Sequence, residues 1–163
     1  MRYYLDTNIL VFILSREADG IDNKVASIIH DYSSILYVSS VAVKELLLLF
    51  RIGKIRSKIF KSEKDLLSAI QKLHIKIIFF NQKHLNTYAA LQIANGHKDM
   101  NVLSSESRVK LASTMPSRDK RLSFLNDHAI ISQAISDKIA VISSDIKFKD
   151  YTSQGLKFVF NRR

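Results

Sequence analysis

Two rhythms of apolar positions alternate along this chain. Short apolar runs are each followed by stretches in which apolar residues recur three and four apart. Residues 2–5 are apolar-rich and closed by Asp6, which predicts a buried strand. Thr7 or Asn8 is placed to cap a helix over 9–15. After a break at 20–22, Val25, Ile28 and Ile29 have helical spacing and predict a helix over 24–32. A second strand is expected at 35–38, then Ser39 and Ser40 as caps, then a long helix from 41 to about 52 with Gly53 near its end. Ser62 to Asp65 resembles a capping box, with Asp in the reciprocal position, and opens a helix to about 73. A third strand falls at 75–80, Asn81 is the next cap, and a helix over 82–93 stops at Asn95 and Gly96.

The pattern fails from Asn101 to Leu122, among serines, scattered charges and Pro116. That stretch reads as a long loop or an inserted hairpin of helices. Order returns at Leu125, with a helix over 127–136, a strand over 139–143 and a last strand over 156–160. No two strands are joined by a two-residue turn, so the expectation is an α/β fold, a parallel sheet covered by helices. A chain of 163 residues is about one domain, so a single domain over 1–163 is expected. Sites in such sheets lie beyond the carboxyl ends of the strands. Asp6 follows the first strand, Glu45 lies one turn into the helix after the second, Asp127 opens the penultimate helix, and Asp145 follows the penultimate strand. All four can share one rim.

Composition narrows the chemistry. Hydrophobic residues make up 47% and charged residues 25%, which is globular composition. There is no cysteine, hence no disulfide framework, thiolate zinc site or cysteine nucleophile, and a reducing cytoplasm is the simplest location. Apolar runs are far shorter than the ~20 residues of a membrane span, and no signal peptide is visible. The net charge of +10 attracts polyanions. The histidines are scattered without an HExxH pair, and no phosphate-binding glycine loop or nucleophile elbow is present.

Glu45 sits in a stretch that is apolar on almost all sides, so partial burial is expected. A buried carboxylate must be paired, protonated or metal-bound. Carboxylates a few ångströms apart repel, and a divalent cation relieves that repulsion. For an oxygen-only, cysteine-free donor set the suitable ion is Mg²⁺ or Mn²⁺. Such ions serve phosphodiester hydrolysis by lowering the pKa of a bound water and polarising a phosphoryl oxygen. An acidic cluster within a strongly basic chain is the pattern of a nuclease.

The residues at 4–10, from Tyr4 through Asp6 and Asn8 to Leu10, resemble the first motif of the PIN domain. Residues 38–40 leading to Glu45, residues 126–134 from Asn126 through Asp127 to Ala134, and residues 141–145 ending at Asp145 resemble its later motifs in order. The closest type is the VapC-like toxin ribonuclease of bacterial toxin–antitoxin pairs, and the resemblance runs from Arg2 to Phe160. It implies a PIN-like parallel α/β sheet in which Asp6, Glu45, Asp127 and Asp145 are catalytic and bind metal. It implies a hydroxyl near the metal at Ser143, and Asn8 as the polar residue after the first acid. It further implies RNA as substrate, hydrolysis by metal-activated water leaving a 5′-phosphate, a homodimer, and a small antitoxin partner.

The chain departs from that pattern near the third acid. His128 stands where the family commonly has Arg, and the segment 97–100 that resembles its His-x-Asp-Pro is separated from Asp127 by the insertion. Asp99 or Asp119 therefore competes with Asp127. His128 fits a substrate contact or a surface or cap role. Two basic stretches, 51–64 and 108–121, fit either a solvated face or an RNA track, and Arg118, Lys120 and Arg121 in the second could clamp RNA over the site. The apolar residues 46–50 cannot all face one core, so part of that helix could be a partner or dimer surface. The competing readings are a non-catalytic PIN-fold module that binds nucleic acid or protein, and a phosphatase or DNA nuclease of similar fold.

Overall fold

The structure, a computed structural model, describes residues 1–16, 18–55, 59–92 and 118–162. Five parallel strands form one sheet: β1 (Arg2–Leu5), β2 (Ile35–Ser39), β3 (Lys76–Ile78), β4 (Ala140–Ser143) and β5 (Phe158–Phe160). The order across the sheet is β3-β2-β1-β4-β5. The chain winds outward from β1 to β3, then crosses back to place β4 on the other side of β1. The winding direction therefore reverses between β1 and β4, where a crevice opens at the strands' carboxyl ends. Leu5 pairs with Val38 on one side and with Ile142 on the other, so three strand ends line that crevice.

The helices are α1 (Thr7–Ser15), α2 (Asn23–His30), α3 (Ser40–Arg51), α4 (Glu63–Lys72), α5 (Gln82–Ala90) and α6 (Arg118–Asp137). Their starts follow the capping chemistry of the sequence. Ser62 and Asp65 form the expected capping box, and Ser39 caps α3 through Val41 N. Asp6 itself, rather than Thr7 or Asn8, caps α1. Several elements are shorter than the pattern suggested: α5 ends at Ala90 and β5 begins at Phe158. Tyr4, Leu5, Val38, Val141 and Ile142 are buried in the middle of the sheet, with Ile9, Leu10, Leu46, Ile130 and Ile131 packed over them from the helices.

Two stretches depart from the sequence expectation. The helix bearing Asp127 starts at Arg118, so residues 118–122 are its first turns and not part of a loop, and Asp127 lies mid-helix. Asn101 to Ser117, Asp99 and the segment 97–100 lie outside the described residues, as do residues 56–58 of the first basic stretch. Between β4 and β5 the connection is a 3-10 segment (Ile146–Gln154) in which Phe148 and Tyr151 are fully buried. Gly155 closes it at φ 98°, a conformation that side chains oppose. In α3, Leu46 is buried, Leu47 and Phe50 pack against the core, and Leu48 is exposed. No helix among the described residues is long and apolar enough to cross a membrane.

Candidate active site

Strand β1 delivers Asp6 to the crevice, and the cap geometry fixes its carboxyl. Thr7 N donates to Oδ1 at 2.7 Å, and Ser143 Oγ donates to Oδ2 at 2.6 Å. The residue is almost wholly buried. Burial raises its pKa to about 6; the bonds from Ser143 and Thr7 oppose that shift, and the charges of Glu45 and Asp145 add to it.

Glu45 reaches the same crevice from the second turn of α3. Thr7 Oγ1 donates to Glu45 Oε2 at 2.9 Å, so Thr7 serves both acids, one through its amide and one through its hydroxyl. Asn126, buried on α6, hydrogen-bonds Glu45 as well. Glu45 is half-buried, and burial raises its pKa despite these two bonds.

Asp127 stands on α6 beside Asn126. Burial lifts its pKa well above the ordinary carboxylate range, and the charges of Asp6, Glu45 and Asp145 push it further. Lys147 opposes the shift from the segment after β4. No side chain among the described residues donates a hydrogen bond to the Asp127 carboxyl. Asp145 caps the 3-10 segment, accepting from Lys147 N at 2.9 Å, while its own amide donates to Ser143 Oγ at 3.0 Å. The crevice thus collects Asp6, Glu45, Asp127 and Asp145 closely enough for mutual repulsion to raise Asp6 and Asp127.

Other expected site residues fare differently. Ser143 is fully buried and touches Asp6, as a hydroxyl near the acids should. Asn8 is exposed on the first turn of α1. His128 is neither a surface nor a cap residue: it is buried, with Nε2 hydrogen-bonded to Tyr151 OH and its ring edge-on to Tyr88. Arg118, Lys120, Arg121 and Asp119 lie on the first turn of α6, and their side chains are outside the described residues. Thr7 and Asn126 were not anticipated as site residues. Each directly neighbours an acid in sequence, which is the signal that could have marked them.

The donor set is suited to a hard cation. All four groups are carboxylates, each Asp6 oxygen keeps a lone pair beyond its one hydrogen bond, and ionising Asp6 and Asp127 together is opposed without a compensating charge. Among the described residues, no group of three or more acidic or histidine side chains is by itself arranged to hold a metal ion. Mg²⁺ sites commonly use one or two carboxylates and several waters, so the chemical fit does not require such a group.

A strand-order reversal with acids just after β1 and β4 and on α3 and α6 defines a parallel α/β domain with an acidic crevice. The profile of the PIN domain matches residues 3–153, and the chain belongs to that family. VapBC2 from Rickettsia felis, solved bound to a DNA fragment from its promoter, has a chain similar to this one at 21% identity and a TM-score of 0.56, covering 99% of this chain and 100% of that one. VapBC-1 from nontypeable Haemophilus influenzae is similar at 17% identity and a TM-score of 0.55, covering 98% of both chains. FitAB bound to an IR36 DNA fragment is similar at 14% identity and a TM-score of 0.52, covering 97% of this chain and 94% of that one. These likenesses establish the shared fold. No curated protein sequence matches the chain.

Proposed function

We propose that the chain is a Mg²⁺- or Mn²⁺-dependent endoribonuclease, the toxin of a VapC-like toxin–antitoxin pair. The observation that carries this reading is the gathering of Asp6, Glu45, Asp127 and Asp145 at one strand-order reversal, close enough for their charges to oppose the ionisation of Asp6 and Asp127. A structural role gives no reason to gather four carboxylates there, whereas a divalent cation does. Asp6 and Asp127 would hold the ion, with Glu45 and Asp145 completing its surroundings. A bound divalent ion supplies charge neutralisation at the phosphoryl oxygens and lowers the pKa of water.

The chain's own residues do the positioning. Thr7 and Ser143 hold the Asp6 carboxyl in one orientation, and Thr7 and Asn126 hold Glu45. In the hydrolysis, the oxygen of water bonds to phosphorus and the bond from phosphorus to O3′ breaks. The products are a 5′-phosphate and a 3′-hydroxyl. The net charge of +10 supports a polyanionic substrate. An antitoxin partner is supported by the structural neighbours, whose names are those of two-component pairs. A homodimer and a cytoplasmic location complete the proposal.

The test is cleavage of single-stranded RNA by the purified chain in Mn²⁺ and in EDTA, alongside DNA of the same sequence and a small phosphate ester. Metal-dependent RNA cleavage lost in Asp6→Asn is the expected result. RNA binding without cleavage would support the non-catalytic module, and preferential cleavage of DNA or the ester would support the third reading.

A further inference from the structure

A second surface adjoins the acids and plays no part in holding them. Strand β5 is an edge strand, and alternation along it puts Phe158, Phe160 and Arg162 on one face and Val159 and Asn161 on the other. The first three line an open groove of about 770 Å³ together with Lys24 at the start of α2 and Ile146 and Lys149 from the 3-10 segment. Lys24, Lys149 and Arg162 are exposed; none is in a salt bridge among the described residues, although the Lys24 charge is near enough to Asp22 to lower its pKa. Asp22 also lines the groove, but its carboxylate accepts from Val25 N at 2.8 Å and Arg162 N at 2.7 Å. Three side-chain cations against one occupied carboxylate leave the groove positive.

Its floor is aromatic. Phe158 stacks on the buried Phe148 with ring centroids 6.1 Å apart and planes at 24°. Phe160 lies 6.0 Å from Phe158, tilted by 47° and half-buried. One face of Phe158 is therefore committed to the interior, and Phe160 is the ring offered to the groove.

Hydrogen bonds tie the groove's strand to the end of β4, where Ser143 and Asp145 stand. Fully buried Asn161 donates from its amide N to Ser143 O at 2.9 Å and from Nδ2 to Ser144 Oγ at 2.8 Å and Gly20 O at 2.7 Å, and it accepts from Asp22 N at 2.8 Å. Ile146 follows Asp145 directly in the chain.

We infer that this groove binds a single-stranded RNA segment flanking the scissile bond, with phosphates on Lys24, Lys149 and Arg162 and a base on Phe160. Sequence-tolerant binding of single strands combines a positive groove with exposed aromatic rings. A basic face without aromatic rings would favour duplex backbone, and an aromatic face without cations would favour an apolar peptide. This inference rests on the ribonuclease reading above, which places the acids next to it.

The experiment measures binding of the full chain in EDTA to a labelled oligouridylate across a salt series, and cleavage of a longer RNA in Mn²⁺. The Lys24→Ala, Lys149→Ala, Arg162→Ala triple variant should lower the log–log salt slope by about two, at roughly 0.7 per phosphate contact. Phe160→Leu should weaken binding about tenfold with the slope unchanged. In cleavage, both should raise KM and leave kcat near the wild-type value. Wild-type affinity and slope in both variants would overturn the inference, as would groove-dependent capture of duplex DNA or polyglutamate in preference to the oligouridylate. Should Phe160→Leu fail to fold, the triple variant alone decides, since its three positions are exposed. Groove-dependent binding without any cleavage would sink the ribonuclease reading and leave the groove standing. Cleavage insensitive to the groove variants would do the reverse.

Discussion

Ser143 Oγ donates to Asp6 Oδ2 at 2.6 Å across 137 positions of sequence. The parallel pairing of β1 with β4, in register at Leu5 and Ile142, is what brings them together. The same hydroxyl accepts from Asp145 N, so it orients two acids by using both its donor and one acceptor. Its bond to the charged form of Asp6 works against burial and holds the pKa near 6 instead of higher.

Ser143→Ala should therefore push the Asp6 carboxyl further up. The acid limb of the pH profile of kcat/KM should move to higher pH, while activity well above that limb falls less. Stability should drop by about 1.5–3 kcal/mol, the usual worth of a hydrogen bond to a charged group. An acid limb unmoved by the substitution would show that Asp6 does not set it.

Asp6 also gives stability a pH dependence of predictable sign. Its folded-state pKa near 6 lies above the ordinary 3.8, so its contribution is whole below pH 3.8 and is lost as pH rises through 6. The loss is about 3 kcal/mol once the group is ionised in the absence of a cation. Asp6→Asn should accordingly melt several degrees above the wild type at pH 8 in EDTA, with the difference shrinking toward pH 4. Cleavage should be abolished. A mutant no more stable at pH 8 than the wild type would contradict the buried, repelled carboxylate.

Most of this architecture was legible in the chain because its strands and caps carry local signals. Asp6 and Asp145 each close an apolar run, and Ser39 and Ser62 stand just ahead of helical spacing. The start of α6 was not legible, because Arg118, Asp119, Lys120 and Arg121 are all charged and carry no apolar periodicity that would separate a helix turn from a loop. The 3-10 segment after β4 was missed for a related reason: Phe148 and Tyr151 are three apart, a spacing too short-lived to register as an α-helix. The four acids could be placed on one rim by strand logic alone. Which side chains hold Glu45 could not, because Thr7 and Asn126 meet it only through the packing of α1, α3 and α6.

Thr7 is the sharpest case of such a neighbour. Its hydroxyl donates to Glu45 Oε2 at 2.9 Å, while its amide serves Asp6. Thr7→Val keeps the shape and the amide and removes only the hydroxyl. With one of the two opposing hydrogen bonds gone, burial should raise the Glu45 pKa further. Cleavage should weaken most on the acid side of the pH profile, whose limb should move to higher pH, with the Tm reduced by a few degrees. A uniform loss across the pH range would mean that Thr7 acts only through packing.

Divalent ions should reverse the pH trend that Asp6 imposes. A cation can bind only after the carboxyls lose their protons, so its affinity rises with pH across the range in which Asp6 and Asp127 ionise. At pH 8 Asp6, with its pKa near 6, is ionised and open to an incoming ion; at pH 5 it is mostly protonated, and the upward shift of Asp127 acts in the same direction. An ion that binds the folded chain stabilises it by mass action, about 2.7 kcal/mol at a hundredfold excess over Kd. For a domain of this size that corresponds to roughly 5–10 °C in Tm. Mn²⁺ should thus raise the Tm by several degrees at pH 8 and much less at pH 5, and the shift should be largely absent in Asp6→Asn and in Asp127→Asn. Melting curves in EDTA and in a Mn²⁺ series at the two pH values measure this without any RNA. A Tm indifferent to Mn²⁺ at pH 8, or a shift that survives both substitutions, would remove the four acids as the place where the ion binds.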